Sequence, residues 1–277
     1  LNGLLVRVDV ARLKLLRTLE GVIELHPTLL VEPALDESAA HVGATAMFQA
    51  YGLTGDGVNI GIIDSGVDYI HAALGGPATM AAYEANDPTT INDAWEGVPL
   101  FPNNRVVGGY DFVGAEYDAE GSSLPTPDAD PMPDRESGDS DLLRDHGTHV
   151  ASIASGSAVG EVSRGVAPGA RLWALKALGT GKSSMTSAAI DWALDPDGDG
   201  AISDALDVLN LSIGSAYSGG GDDGVSAEAM AIDSFVAAGG VVVCSAGNRG
   251  NHPFIASSPG TVPAAISVAN TYGPGET

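Results

Sequence analysis

The sequence predicts an α/β domain, a parallel sheet flanked by helices, preceded by a small α+β tail. Three observations carry this expectation. From Val58 onward, short apolar runs alternate with helix-period stretches, the pattern of strands joined by crossover helices. The run Val58-Asn59-Ile60-Gly61-Ile62-Ile63 stops at an Asp64-Ser65-Gly66 corner, as a strand does when it delivers a carboxylate to a sheet edge. The chain has 277 residues, 44% of them apolar, enough for one large α/β domain plus a small extra module.

The elements follow in order. Leu4-Leu5-Val6-Arg7-Val8-Asp9-Val10 alternates like a strand. Residues 11–20 read as a helix with Leu13, Leu16 and Leu19 on one side, and Gly21 stops it. Val22-Ile23-Glu24-Leu25-His26-Pro27 restarts as a strand. Pro33, Asp36, Glu37 and Ser38 predict an extended, polar junction across Leu30–Ala40. Strands are expected at 58–63, 171–177, 207–213, 240–245 and 264–269, and helices at 147–156, 183–194 and 225–238. In the second of these helices Met185, Ala188, Ala189 and Trp192 fall on one face, a core stripe. Residues 114–145 carry ten acidic residues, two arginines and four prolines without an apolar period, and read as a solvated surface loop.

Twelve basic against 36 acidic residues give a formal charge of −24. That charge repels nucleic acid and anionic membrane and favours cation binding. No apolar stretch reaches the roughly 18 residues of a transmembrane helix, so no membrane span is expected. Cys244 is the only cysteine, which excludes an intrachain disulfide; within Val241-Val242-Val243-Cys244 it reads as a buried strand position. Acidity with one cysteine fits a secreted protein.

The chemistry gathers at two motifs. Asp64 ends the apolar run, and His146-Gly147 opens a small-residue helix. A serine hydroxyl is a poor nucleophile until an imidazole takes its proton and a carboxylate holds that imidazole in the right tautomer. His146 fits the base and Asp64 the orienting carboxylate. Taken singly, a turn carboxylate and a helix-capping histidine are the plain structural alternatives. His149 lies three residues after His146, whereas the zinc-protease pattern needs four and an intervening Glu, so His149 is expected to be packed or hydrogen-bonded. Asn248 follows a glycine at the end of an apolar strand, where its amide can donate to an oxyanion or simply sit in a left-handed turn.

Asp195-Pro196-Asp197-Gly198-Asp199-Gly200-Ala201-Ile202 reads as a structural calcium loop. It has acids at positions 1, 3 and 5 and glycine at 6. Position 12 is Leu206 instead of Glu, so a complete EF-hand is ruled out; Asp204 and Asp207 are near enough to supply the missing carboxylate, with the Ala201 carbonyl as a further ligand. A plain acidic turn is the alternative.

Four patches together resemble the subtilisin-like serine proteases. Val58–Gly66 resembles their aspartate motif, and His146-Gly147-Thr148-His149-Val150-Ala151 their histidine motif. Asn210-Leu211-Ser212-Ile213-Gly214-Ser215 resembles their substrate-binding strand, and Ser245-Ala246-Gly247-Asn248 their oxyanion-asparagine motif. The resemblance implies a serine endopeptidase acting on protein or peptide substrates, with Asp64, His146 and Asn248 catalytic and with Ser212, Gly214, Ser245 and Gly247 lining the substrate pocket. It also implies that residues 1–33 are the end of an inhibitory propeptide, a partner of the peptidase domain at 34–277. The family's serine sits in a Gly-Thr-Ser-x-Ala motif, which occurs nowhere in the 277 residues. The expectation is that the serine lies beyond Thr277, that the peptidase domain is incomplete at its C-terminus, and that this stretch alone is inert. A protease-like binding module without catalysis, or a calcium-binding structural domain, remains open on the same residues.

Overall fold

The computed structural model describes residues 12–22, 35–91, 94–115, 117–118, 123–134, 145–160, 163–179, 185–214, 225–248, 250 and 256–271. The chain divides into two compact units, Leu1–Ala34 and Leu35–Thr277. In the first, α1 spans Leu13–Leu16 and Gly21 takes a φ of 87°, the left-handed backbone a stop signal needs. The strands expected at residues 4–10 and 22–27 lie, but for Val22, outside the described residues.

Among the described residues the second unit is built on six parallel strands: β1 (Asn59–Asp64), β4 (Val106–Asp111), β5 (Arg171–Lys176), β6 (Val208–Leu211), β7 (Val241–Ser245) and β8 (Ile266–Val268). Their order is β4-β5-β1-β6-β7-β8. A separate hairpin pairs β2 (Ala94–Trp95) with β3 (Val98–Pro99). Because strand side chains alternate faces, Ile62 and Ile63 enter two different cores. On one face Ile63, Leu175, Leu209 and Val242 pack with α6 (Thr186–Trp192) and α7 (Ala227–Ala237) through Ile190, Ile232 and Phe235. On the other, Ile62, Leu172 and Ala174 pack with Ala82 of α4 (Met80–Ala85), with Ala151 of α5 (His146–Ser155) and with Tyr69 and Leu74. The sheet is therefore covered on both faces, as parallel sheets require.

The strands and helices expected between residues 58 and 269 appear within a few residues of their predicted bounds, and Met185, Ala188, Ala189 and Trp192 all join the first core. Cys244 is buried, and burial pushes its thiol up to about 12, so it is an inert core residue at neutral pH. Among the described residues no helix is long and apolar enough to cross a membrane.

Three features depart from the sequence reading. First, β4 was hidden by its two glycines. Gly108 is required because a Cβ there would meet the Trp173 ring at 2.4 Å, and Gly109 because one would meet the Ala174 carbonyl at 2.1 Å. Second, the described part of the junction expected to be extended, from Leu35 on, is helical, with α2 at Leu35–His41 and α3 following at Ala44–Tyr51. Good helix formers follow Pro33, and Gly43 and Gly52, both with positive φ, punctuate the two helices. Third, the acidic stretch 114–145 is not all solvated loop. Asp128 bridges Asp111 in antiparallel fashion, and Asp130, Met132 and Asp134 are buried.

Candidate active site

Sheet register brings the functional positions into one row. Asp64 ends β1 opposite Lys176, and Lys176 lies opposite Asp111. Ile62 pairs with Asn210 and Leu211 with Cys244, so Ser212 and Ser245 continue the same row on the other side of Asp64. This is the carboxyl edge of an open parallel sheet, beside the strand where the connections reverse direction, the usual place for a ligand crevice.

The Asp64 carboxylate is fully buried and meets His146 Nδ1 at 2.8 and 2.9 Å. Its Oδ1 also accepts the Ser65 N–H at 2.7 Å. The histidine side chain is 37% exposed, so its ring reaches solvent while one nitrogen is held from below. The hydrogen bond to Asp64 raises the His146 pKa, partial burial lowers it, and the Asp64 charge raises it again; the net shift is upward. With Nδ1–H donating to the carboxylate, Nε2 is the free proton acceptor.

Close backbone approach sets this geometry. A Cβ on Gly147 would lie 2.2 Å from the Gly66 oxygen and 3.0 Å from Asp64 Cβ, so only glycine lets α5 start against the end of β1. The Gly147 N–H donates to Ser65 Oγ at 3.1 Å, and the Asp68 N–H donates to Thr148 Oγ1 at 2.9 Å. His149 lies exposed on α5 and is not packed in the core.

The remaining site positions lie on the other half of the edge. Ser212 Oγ accepts from Asn210 Nδ2 at 2.9 Å, and Ser245 Oγ donates to the Ile213 carbonyl at 2.8 Å, tying the ends of β6 and β7 together. Gly247 has a φ of 97°, and the exposed Asn248 follows it. Gly214 and Gly247 are joined by a residue that motif reading passed over. A Cβ on either would meet Ser257 Oγ, at 2.4 Å and 2.9 Å respectively. Ser257 is buried, and its hydroxyl has no hydrogen-bond partner among the described residues. Nothing local in Ala256-Ser257-Ser258-Pro259 signals that role, which depends on the return of the chain beside β7.

The sequence profile of the Subtilase family matches residues 55–273. The chain belongs to the subtilase family. It is 33% identical over 245 residues to the minor extracellular protease Vpr of Bacillus subtilis strain 168, covering 88% of this chain and 24% of Vpr. It is 30% identical over 207 residues to Subtilisin DY of Bacillus licheniformis, covering 73% of this chain and 52% of that protein. Among solved structures it is similar to Sphericase, with a TM-score of 0.53 and 27% identity, covering 81% of this chain and 58% of the other. The chain thus spans about a quarter of Vpr's length and about half of Subtilisin DY's. The parallel sheet with helices on both faces is the subtilisin-like α/β fold.

This subtilase chain also carries an acidic cluster away from the dyad. Ligand atoms of Asp195, Asp197 and Asp204 lie within 4.8 Å of one another, a set that could hold a metal ion. Gly198 and Gly200 adopt positive φ and fold the loop, whose N–H groups cap its own carboxylates: Asp199 N–H to Asp195 and Asp197, Gly200 N–H to Asp195. The other predicted ligands sit differently. Asp199 Oδ1 accepts the Ala201 N–H at 2.7 Å, and Asp207 Oδ2 accepts the Asn59 N–H at 2.8 Å, which ties the loop's exit to the start of β1. The donor set fits a hard cation, because Asp204 Oδ1 is buried with no hydrogen-bond partner among the described residues. At Asp197 the Asp199 N–H lowers the pKa; desolvation and the charges of Asp199, Asp204 and Asp195 outweigh it, and the net shift is upward.

Proposed function

We propose that this chain is part of a secreted serine endopeptidase in which Asp64 and His146 activate a serine supplied by sequence beyond Thr277. The observation that carries this reading is the buried Asp64 carboxylate on His146 Nδ1, with the ring still open to solvent. The absence of a Gly-Thr-Ser-x-Ala motif and the greater length of Vpr and Subtilisin DY support placing the serine downstream. The similarity to Vpr, an extracellular protease, supports export.

In this mechanism the serine Oγ attacks the peptide carbonyl carbon while its proton passes to His146 Nε2. The carbonyl π pair moves onto oxygen, and the Asn248 amide donates to that oxyanion. Collapse breaks the C–N bond, and the leaving amine takes the proton from Nε2. Water then repeats the sequence on the acyl-enzyme. Asp64 keeps its hydrogen bond to Nδ1 throughout and stabilises the imidazolium. Ser212, Gly214, Ser245 and Gly247 would line the pocket for a substrate side chain, with the peptide paired along the strand edge. Residues 1–33 would be the propeptide tail, a reading supported by the separation of Leu1–Ala34 as its own compact unit.

A serine-directed fluorophosphonate tests this. The longer natural protein should label stoichiometrically, and residues 1–277 alone should not. No labelling of the longer protein would favour a binding module that only resembles a protease.

Calcium is proposed at Asp195, Asp197 and Asp204, in a structural role that steadies the approach to β6. Binding to the folded form alone stabilises it by about 2.7 kcal/mol at a hundredfold excess over Kd. For a domain of this size that is a rise of about 5–10 °C in melting temperature. The rise should be lost in Asp197→Ala and Asp204→Asn. A wild-type melting temperature that ignores calcium, or a rise in both variants as large as in the wild type, would reduce the loop to an acidic turn.

A further inference from the structure

The buried part of the acidic stretch, Asp128–Asp134, passes directly over the backbone that follows Asp64. A Cβ on Gly66 would lie 2.8 Å from both the Pro131 oxygen and the Pro133 nitrogen, so no side chain fits between them. Val67 donates its N–H to the Pro131 carbonyl at 3.0 Å. Tyr69 Oη donates to the Asp130 carboxylate, 2.8 and 2.9 Å from its two oxygens. Asp130 Oδ1 in turn accepts the Met132 N–H at 3.1 Å, which holds the turn that presents Pro131 and Pro133 to Gly66. At its ends the strap is fixed to the sheet. Asp128 and Asp111 exchange two backbone hydrogen bonds of 3.0 Å, and Lys176 Nζ donates to both Asp134 and Asp111.

The same Gly66 touches the histidine helix on its other side, through the 2.2 Å clearance between its oxygen and a Cβ built on Gly147. Ser65 and Asp68, on either side of Gly66 and Val67, bond to Gly147 and Thr148. Residues 65–68 are thus sandwiched between the strap and the start of α5. Displacing them would shift Asp64 against His146. Interiors this closely packed transmit displacement and do not absorb it.

We propose that the strap Asp128–Asp134 is a positioning element for the Asp64–His146 pair, with Tyr69 and Asp130 as the positioning residues that hold it on Gly66. Its catalytic meaning rests on the hydrolase reading above; its effect on the pair does not. Among the described residues, the hydrogen bonds of Tyr69 and Asp130 go to each other and to neighbours other than Asp64 and His146. The strap acts by keeping the Ser65–Asp68 backbone where the aspartate and the imidazole meet at hydrogen-bond distance. The hydroxyl of Tyr69 remains a donor throughout the physiological range, since burial first, and then the Asp130 charge, push its pKa upward.

The test reads the pair directly, in residues 1–277, by following the His146 ring resonances through a pH titration. Asp64→Asn sets the full scale by removing the carboxylate whose hydrogen bond and charge raise the His146 midpoint. Asp130→Ala and Tyr69→Phe should each lower that midpoint part of the way while near-native circular dichroism is kept. Should Asp130→Ala fail to fold, Tyr69→Phe alone decides, since it deletes one hydroxyl and keeps the ring in its core. A His146 midpoint unmoved by these variants, with only the melting temperature reduced, would make the strap structural packing and overturn the proposal. A moved midpoint in a protein whose longer form never labels with fluorophosphonate would instead defeat the hydrolase reading and leave the strap's role standing.

Discussion

On the hydrolase reading proposed above, His146→Ala in a form of the protein that supplies the serine is expected to lower kcat by about 10⁶-fold with little change in KM, a magnitude known from subtilisin itself. The structure gives the physical reason. Its Nδ1 is committed to the buried Asp64 carboxylate at 2.8 Å, and the half-exposed ring presents its other nitrogen to solvent. Alanine removes the group that takes the nucleophile's proton and later protonates the leaving amine. Asp64→Asn should cost less, about 10⁴-fold, because it keeps the shape and loses the tautomer. Both losses should appear in single-turnover acylation with a peptide ester. The wild-type rate should rise with pH through the free-enzyme midpoint of His146, since only neutral imidazole accepts a proton. The Asp64 bond places that midpoint above the ordinary histidine value. A loss of tenfold or less in His146→Ala would mean that another group is the base.

The dyad was legible in the sequence because each half is a local signal. Ile62-Ile63-Asp64-Ser65-Gly66 ends a strand, and His146-Gly147 begins a helix, and the close approach between them needs only the glycines already visible in the motifs. What escaped reading depends on partners far away in the chain. Asp130 and Asp134 look like solvent-facing acids until Tyr69 and Lys176, 61 and 42 residues distant, supply their donors. β4, with two glycines in six residues, gives no strand signal until Trp173 arrives to fill the space above Gly108. Ser257 carries no motif, and its place between Gly214 and Gly247 comes from the packing of three separate segments. In the acidic loop the pattern of Asp195, Asp197 and Asp199 was visible; which carboxylates converge was not. Backbone N–H groups, not sequence spacing, orient the carboxylates of Asp199 and Asp207. Charge pattern marks where ionised groups are, and only tertiary structure says which of them are buried.

Replacing Lys176 with methionine should therefore be among the most damaging single changes to stability in the chain. The lysine ammonium lies at the end of β5 with no solvent exposure, bonded to Asp111 at 2.7 Å and to Asp134. Desolvation lowers its pKa and the two carboxylates raise it, with a net upward shift that keeps it charged. Methionine fills nearly the same volume, so the change isolates charge from cavity formation. It leaves two buried carboxylates without their cation, which costs about 3–5 kcal/mol when one partner of a buried pair is removed. Urea unfolding at neutral pH measures this directly. The loss should also depend on pH, with a definite sign. Burial pushes the Asp134 carboxyl up to about 6 in spite of the lysine, and Asp130 up to about 7. A carboxyl whose folded pKa lies above its unfolded value near 3.9 contributes stability below that value and loses it as pH rises through the folded pKa. These two groups therefore make the wild-type fold less stable as pH rises from about 4 to about 7. Without Lys176 the Asp134 carboxyl titrates higher still, so the fall extends to higher pH. The penalty of Lys176→Met should then be smaller at pH 5 than at pH 8. Protonation at acidic pH neutralises the charge that the lysine no longer balances. An equal penalty at both pH values would show that lysine packing, not its charge, holds Asp111 and Asp134 in place.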